Sequence, residues 1–182
     1  SGPEPARPAF LPDDVLTISF GPLGAGVEGR PEPGLTLDVE PAAPARAEDG
    51  LAALCAGLAP RTLVLRVEAA LTRPVVVLRA PGAPGRLMLA LGEDAALTLI
   101  EVSVADAGLS SLLIEAELGP GARLTRLTLQ DGGPGAIDLA HADVRAAQGA
   151  SYAATGLAFG GRFARAETVV TMAGEGARCA LN

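Results

Sequence analysis

The sequence predicts an all-β protein: a parallel β-helix of about 27 residues and two strands per coil, preceded by a short region of strands and one helix. Three observations carry this. From Arg61 onward, helical periodicity gives way to short apolar or alternating runs separated by Gly-rich turns. Five strings align there: "EAALT" (68–72), "DAALT" (94–98), "GARLT" (121–125), "GASYA" (149–153) and "GARCA" (176–180). The second residue of each is alanine, namely Ala69, Ala95, Ala122, Ala150 and Ala177, with steps of 26, 27, 28 and 27 residues.

The period selects the architecture. Two strands of seven to nine residues plus two turns fill one flattened coil, and each strand then bonds to its equivalent one coil away. Stacked corners about 4.8 Å apart leave room for alanine and for little else. A left-handed hexapeptide helix repeats near 18 residues and does not fit. An antiparallel sandwich or double sheet is the alternative, but it has no reason to hold a drift-free register over five repeats.

Taken in order, residues 1–14 are expected to form an extended tail, because residues 1–50 hold nine of the 15 prolines. Residues 15–60 carry the strand candidates "VLTISF" (15–20) and "LTLDVE" (35–40), which could pair as an edge ribbon. The "GPLGAGVEGRPEPG" between them reads as turn chemistry without regular structure. "AEDGLAALCAGLAP" (47–60) reads as a helix with Asp49 as N-cap, Pro60 as stop, and Leu51, Leu54, Cys55 and Leu58 on one stripe. Residues 61–182 are the β-helix. Each repeat runs from small-residue turn to strand ("ALTLIEVSV", "RLTRLTLQ", "SYAATGLAF"), then to a variable loop ("ADAGLS", "DGGPGA", "GGRFA") and a second strand. "GARCALN" begins one more coil, so this end is expected to be an open sheet edge, continued or covered by a partner.

Composition excludes several functions. Net charge is −7, all 14 basic residues are arginine, and no short window holds more than two of them. Phosphate binding needs concentrated positive charge, and base stacking needs aromatic side chains, so nucleic acid is not an expected partner. No apolar run approaches the ~18 residues of a membrane span. "SGPEPARP" lacks the layout of a signal peptide. Cys55 and Cys179 lie far apart, which suits a reducing cytoplasmic protein better than a disulfide framework, with a single Cys55–Cys179 bridge as the alternative.

Reactive groups are few. His141 is the one histidine. It could be a metal ligand or proton shuttle with Asp138 or Asp143 beside it, or a hydrogen-bonded strand histidine. Cys179, at a corner of the last coil, could ligate a metal or a sulfur species, or fill the coil interior. Cys55 reads as a small core residue. Glu101, Glu115 and Glu117 could form a carboxylate ladder on one sheet face, but nothing fixes two at the separation glycoside chemistry needs. The Gly-rich strings are no P-loop without lysine, and no GxSxG context occurs. Arg162 reads as loop surface, and Arg165 as the partner of an acid in a neighbouring coil.

Certain strings also resemble a known family. They are the proline and apolar run Pro74 to Leu78, Ala140-His141 with Asp143, and Gly160-Gly161, Arg165 and Gly174-Glu175-Gly176-Ala177. Over roughly residues 50–182 the pattern is similar to the SufB/SufD scaffolds of iron–sulfur cluster assembly, closer to SufD, and looks like an N-terminal and central piece of one. The resemblance implies a right-handed parallel β-helix in a cytoplasmic, non-catalytic scaffold that pairs with a SufB-like protein and is served by a SufC-type ATPase. It implies no cofactor bound by this chain alone, with iron–sulfur cluster association only in the full complex. The family's ATPase-contacting helices, cluster-related histidine and scaffold interface lie further on and map to no residue here. The other readings are a polymer-forming β-helix and a carbohydrate-active or carbohydrate-binding β-helix. The open end also predicts a homodimer joined through it.

Overall fold

The computed structural model describes residues 8–9, 11, 14–21, 24–41, 43–44, 46 and 49–182; most of the tail expected over 1–14 lies outside them. The described elements, in chain order, are β1 (Leu16–Gly21), β2 (Gly24–Glu28), β3 (Leu35–Pro41), α1 (Gly50–Leu58), β4 (Arg61–Val67), β5 (Val75–Arg79), β6 (Pro84–Leu91), β7 (Ala96–Leu118), β8 (Arg123–Ala146), β9 (Ser151–Gly160), β10 (Phe163–Met172) and β11 (Arg178–Leu181). They wind into a parallel β-solenoid of about four turns with about 27 residues per coil.

Two walls face each other across the interior. The first runs β1, β5, the first arm of β7, the first arm of β8, β9 and β11, all parallel. The second runs β4, β6, the second arms of β7 and β8, and β10, again parallel. Register follows the repeat: Ala96 lies beside Arg123, Arg123 beside Ser151, and Ser151 beside Arg178. Alternation decides which side chains turn inward. Leu97 and Leu99 from the first wall meet Leu112, Ile114 and Leu118 from the second, and all belong to one buried cluster. Fully burying each such side chain contributes about 1.5–3 kcal/mol. β5, "VVVLR", is buried at every position because Leu11 and Val15 cover its outer side at Val76 and Leu78.

The two corners of a coil differ. At the tight one, the amides of Ala95, Ala122, Ala150 and Ala177 donate to the carbonyls of Gly92, Gly119, Ala147 and Gly174. The residue before each alanine has positive φ: Asp94 at 54°, Gly121 and Gly149 at 67°, Gly176 at 71°. The residue before that does not, which is the type II turn pattern. The alanines connect up the stack. The carbonyls of Ala69, Ala95, Ala122 and Ala150 accept from the amides of Ala96, Arg123, Ser151 and Arg178, one coil on. Ala95, Ala122 and Ala150 are fully buried, while Ala177 is partly buried against the same core.

At the wide corner the expected loops "ADAGLS" and "DGGPGA" do not interrupt the strands. β7 and β8 run through the bend as single strands of 23 and 24 residues, with a register shift between Ala105 and Ala107. Successive bends lie close enough to stay hydrogen-bonded: a Cβ on Gly133 would sit 2.7 Å from the Asp106 carbonyl oxygen. Asp106 on β7 and Gly133 and Pro134 on β8 drop out of the register, so the bend behaves as a bulge.

The strands before the solenoid depart from the edge-ribbon expectation. β1 and β3 do not pair with each other; β1 joins β5 in parallel, and β3 runs antiparallel to β4. The stretch expected to be irregular supplies β2, which hairpins onto β1. Gly26 sits mid-strand opposite Ser19 without interrupting the ladder, and Gly29, at φ 90°, follows its end. α1 forms where expected, and the Asp49 carboxylate accepts from the Ala52 amide at 2.8 Å. It lies on the outer side of the second wall, with Leu51, Ala52 and Cys55 packed on Leu113 and Leu139. The expected four-residue stripe is narrower, because a flat sheet meets only one edge of so short a helix and Leu54 and Leu58 remain exposed. Among the described residues, no helix is long and apolar enough to cross a membrane.

Candidate functional site

Each coil's interior is apolar near the tight corner and polar near the wide one. Along the first arm of β7, Leu97 and Leu99 give way inward to Glu101 and Ser103. β5 ends inward on Arg79, and β8 continues from Leu124 to Arg126 and Gln130. From the second wall, Ser110 and Asp138 complete this row, all of it buried.

The row is held by charge-assisted bonds. Asp138 accepts from Arg79 Nη1 at 3.0 Å and from the hydroxyls of Ser103 and Ser110 at 2.5 and 2.7 Å. Glu101 takes a two-pronged contact from Arg126: Nη2 donates to Oε2 at 2.9 Å and Nε to Oε1. Arg126 Nη1 also reaches the Tyr152 hydroxyl at 3.5 Å. Burial pulls the Arg126 pKa down, but the charge and hydrogen bonds of Glu101 more than offset this and hold it above the ordinary arginine range. A cavity of about 310 Å³ opens beside this row, lined by Arg79, Arg126, Gln130 and Asp138 and by residues of β9 and β10. Among the described residues, Arg79 Nε and Gln130 Oε1 have no hydrogen-bond partner.

The expected carboxylate ladder does not form. Glu101 points inward, whereas Glu115 and Glu117 share the outer side of the second wall. There Glu115 accepts from Arg86 Nη2 at 2.7 Å and from the Arg46 amide at 2.8 Å, and Glu117 pairs with the Arg46 guanidinium. Arg86 also donates to the carbonyls of Ala43 and Pro44, which ties the segment ahead of α1 to the wall. Every one of these carboxylates is engaged by arginine.

His141 stands on the outer side of the second wall beneath the start of α1, fully buried. The carboxylates facing it are neither Asp138, which points to the interior by strand parity, nor Asp143. They are Asp49, whose Oδ2 is 3.4 Å from His141 Nε2, and Glu167, whose Oε2 is 3.8 Å from Nδ1. Among the described residues, neither ring nitrogen has a hydrogen-bond partner. Glu167 was legible in principle, since it is the register partner of His141 one coil on. Asp49 was masked by its role as N-cap. Arg165 pairs with Glu167 on its own strand, not with an acid of a neighbouring coil, because positions two apart share a strand face. Arg162 is exposed, and its amide donates to the Ala136 carbonyl.

The two cysteines are free and unlike. Cys55 is buried, and burial first of all pushes its thiol up to about 11. Cys179 lies exposed on the last described strand, β11, where its register with Tyr152 continues the inward-facing column of Leu97, Leu124 and Tyr152. His141 and Cys179 are on different walls and are not brought together.

A stacked parallel solenoid with an interior row of arginine–carboxylate pairs is the class of protein these features define. The family described as SUF system FeS cluster assembly, SufBD core domain, matches residues 77–182, which spans most of β5 and all of β6 to β11. The chain belongs to this SufBD core family. None of the curated proteins matches it.

Proposed function

We propose that the chain is a SufD-like, non-catalytic scaffold component of Suf iron–sulfur cluster assembly, working in the cytoplasm beside a SufB-like protein and a SufC-type ATPase. The observation that carries this is the family match falling on the coils themselves, whose interior carboxylates are all engaged by arginine or serine donors. Such groups hold shape; they are not free to act as a general acid and base. The cluster is cargo of the whole complex in this reading, and no residue of this chain holds it alone.

The surface supports partnership. Among the described pairings, β10 bonds only to β8 and β11 only to β9, so each leaves one strand edge free. Phe159, Phe163, Val169, Met172 and Leu181 are exposed along the same end. A partner's strand, or a second copy of this chain, extends the sheet there. Co-purification of the full-length protein that carries these coils with SufB-like and SufC-like proteins of the same source is the test: a stable complex is expected, and no association with either overturns the reading. Light scattering separates the homodimer, which is abandoned if the isolated chain stays monomeric at high concentration. Anaerobic incubation of the chain alone with iron and sulfide is expected to give no stable cluster absorbance.

A further inference from the structure

The cluster around His141 has no part in the scaffold reading and stands independently of it. Three side chains from three elements converge: Asp49 at the α1 N-cap, His141 on β8 and Glu167 on β10. One ligand atom from each lies within 4.8 Å of the others. His141 is fully buried, yet among the described residues neither of its nitrogens has a hydrogen-bond partner. A buried imidazole in that state is costly, because it has surrendered water and made no hydrogen bond in return.

The distances say what is suited to the gap. At 3.4 Å, His141 Nε2 and Asp49 Oδ2 lie further apart than an N–H···O bond of about 2.7–3.2 Å. Two ligands on one tetrahedral ion, each about 2.0–2.1 Å from it, stand roughly 3.3 Å apart. The spacing is thus that of co-ligands, not of donor and acceptor. Glu167 approaches the other ring nitrogen, Nδ1, at 3.8 Å, so to join an ion held at Nε2 its part-buried carboxylate has to turn toward Asp49. Charge agrees: two carboxylate ligands offset a divalent ion, and among the described residues Arg165 is the one cation paired here and engages Glu167 alone. A cleft beside the cluster, lined by Asp49, Leu51, Leu54, Ile137, Phe163 and Glu167, leaves a side of the site open for entry and for a further ligand.

We propose that Asp49, His141 and Glu167 form a binding site for a divalent first-row transition ion such as Zn²⁺. Imidazole with carboxylates suits these ions, whereas Mg²⁺ and Ca²⁺ take oxygen ligands alone. The ion fastens α1 to β8 and β10, so binding and folding stability are linked.

The experiment uses the whole chain carrying Cys179→Ser, which removes the exposed thiol as a competing ligand. After chelator treatment and dialysis it is titrated with Zn²⁺ by calorimetry and with Co²⁺ by visible absorbance. A single equivalent of each ion is expected, with a Co²⁺ d–d band and no thiolate charge-transfer band, and a Tm that rises with Zn²⁺. Asp49→Asn keeps a competent N-cap and Glu167→Gln changes a part-exposed position, so both should fold. Each should weaken Zn²⁺ binding about tenfold or more, on the scale that perturbing a metal site usually shows. The proposal fails if the parent takes up no stoichiometric ion, or if both variants bind as tightly as the parent.

Discussion

The two ends of a coil's interior solve the same stacking problem in different ways. Near the tight corner, columns are built by likeness: alanine stands above alanine, and leucine packs with leucine and isoleucine. Near the wide corner, like above like would place bare charges together in a low dielectric. The columns there are built by complementarity, with Arg126 against Glu101 and Arg79 against Asp138. Likeness tolerates small losses, since removing a methyl group leaves its neighbours apolar. Complementarity does not, since removing one partner strands a charge.

The largest expected effect follows from that asymmetry. Glu101→Ala should destabilise the fold by about 3–5 kcal/mol, the usual cost of leaving a buried charge unpaired. Arg126 offers no escape, because its guanidinium does not shed its proton. The double variant Glu101→Leu with Arg126→Met should recover most of the loss, because a well-packed apolar pair is often neutral or better. Denaturant midpoints for the wild type and both variants decide it. If the single and double variants fall equally, the pair is only packing volume and the contrast between the two ends collapses.

The apolar end is tested by crowding. Ala122 is fully buried between Ala95 and Ala150 in the hydrogen-bonded corner column. Ala122→Leu should cost about 1–3 kcal/mol through overpacking, somewhat less than the stranded charge. Ala69→Leu, only part-buried at the first corner, should cost less again. Equal losses at both positions, measured by the same midpoints, would mean that the corners do not share one steric constraint.

This contrast also separates what was legible in the sequence from what was not. Ala95, Ala122 and Ala150 announce their corners because a fixed period and a fixed small residue are both visible along the chain. Asp49 was legible as an N-cap because capping is local: its bond to Ala52 spans three residues. The pairing of Arg79 with Asp138 spans 59 residues and two walls, so no local pattern holds it. Glu101 was misplaced for a related reason. Strand parity relates residues within one arm, but the wide bend resets it, and Ser110 faces inward on even parity where Ser103 did so on odd. Had the bend been an open loop, β7 would have been two strands, each with its own free choice of face.

The cysteines extend the comparison to reactivity. With its thiol held near 11, buried Cys55 should resist iodoacetamide at pH 8, while exposed Cys179 reacts within minutes. Mass spectrometry of the native protein should therefore show one added group, and two after denaturation. Rapid native labelling of Cys55 would mean that α1 lifts off the second wall far more readily than its packing on Leu113 and Leu139 implies.

The smallest effect belongs to an ion cluster outside the solenoid interior, and it shows what charge does when water shares the work. Glu32 precedes β3 and accepts from the Thr72 hydroxyl at 2.8 Å, the Arg73 amide at 2.7 Å and the Thr72 amide at 3.3 Å. Partial burial pulls its carboxyl up, but the Thr72 and Arg73 bonds and the Arg73 charge together hold it below the ordinary glutamate value. Because the folded pKa is depressed, the stability it lends is present above the unfolded value near 4.5 and is lost as pH falls through the folded one. Glu32→Gln should remove that part of the acid-side slope and leave stability at pH 7 only slightly lower. Added salt should shrink the difference further, since an exposed pair is screened where the Glu101–Arg126 pair is not. If 0.5 M salt weakened the interior pair as much as this one, the low dielectric invoked for the wide end of the coil would have no basis.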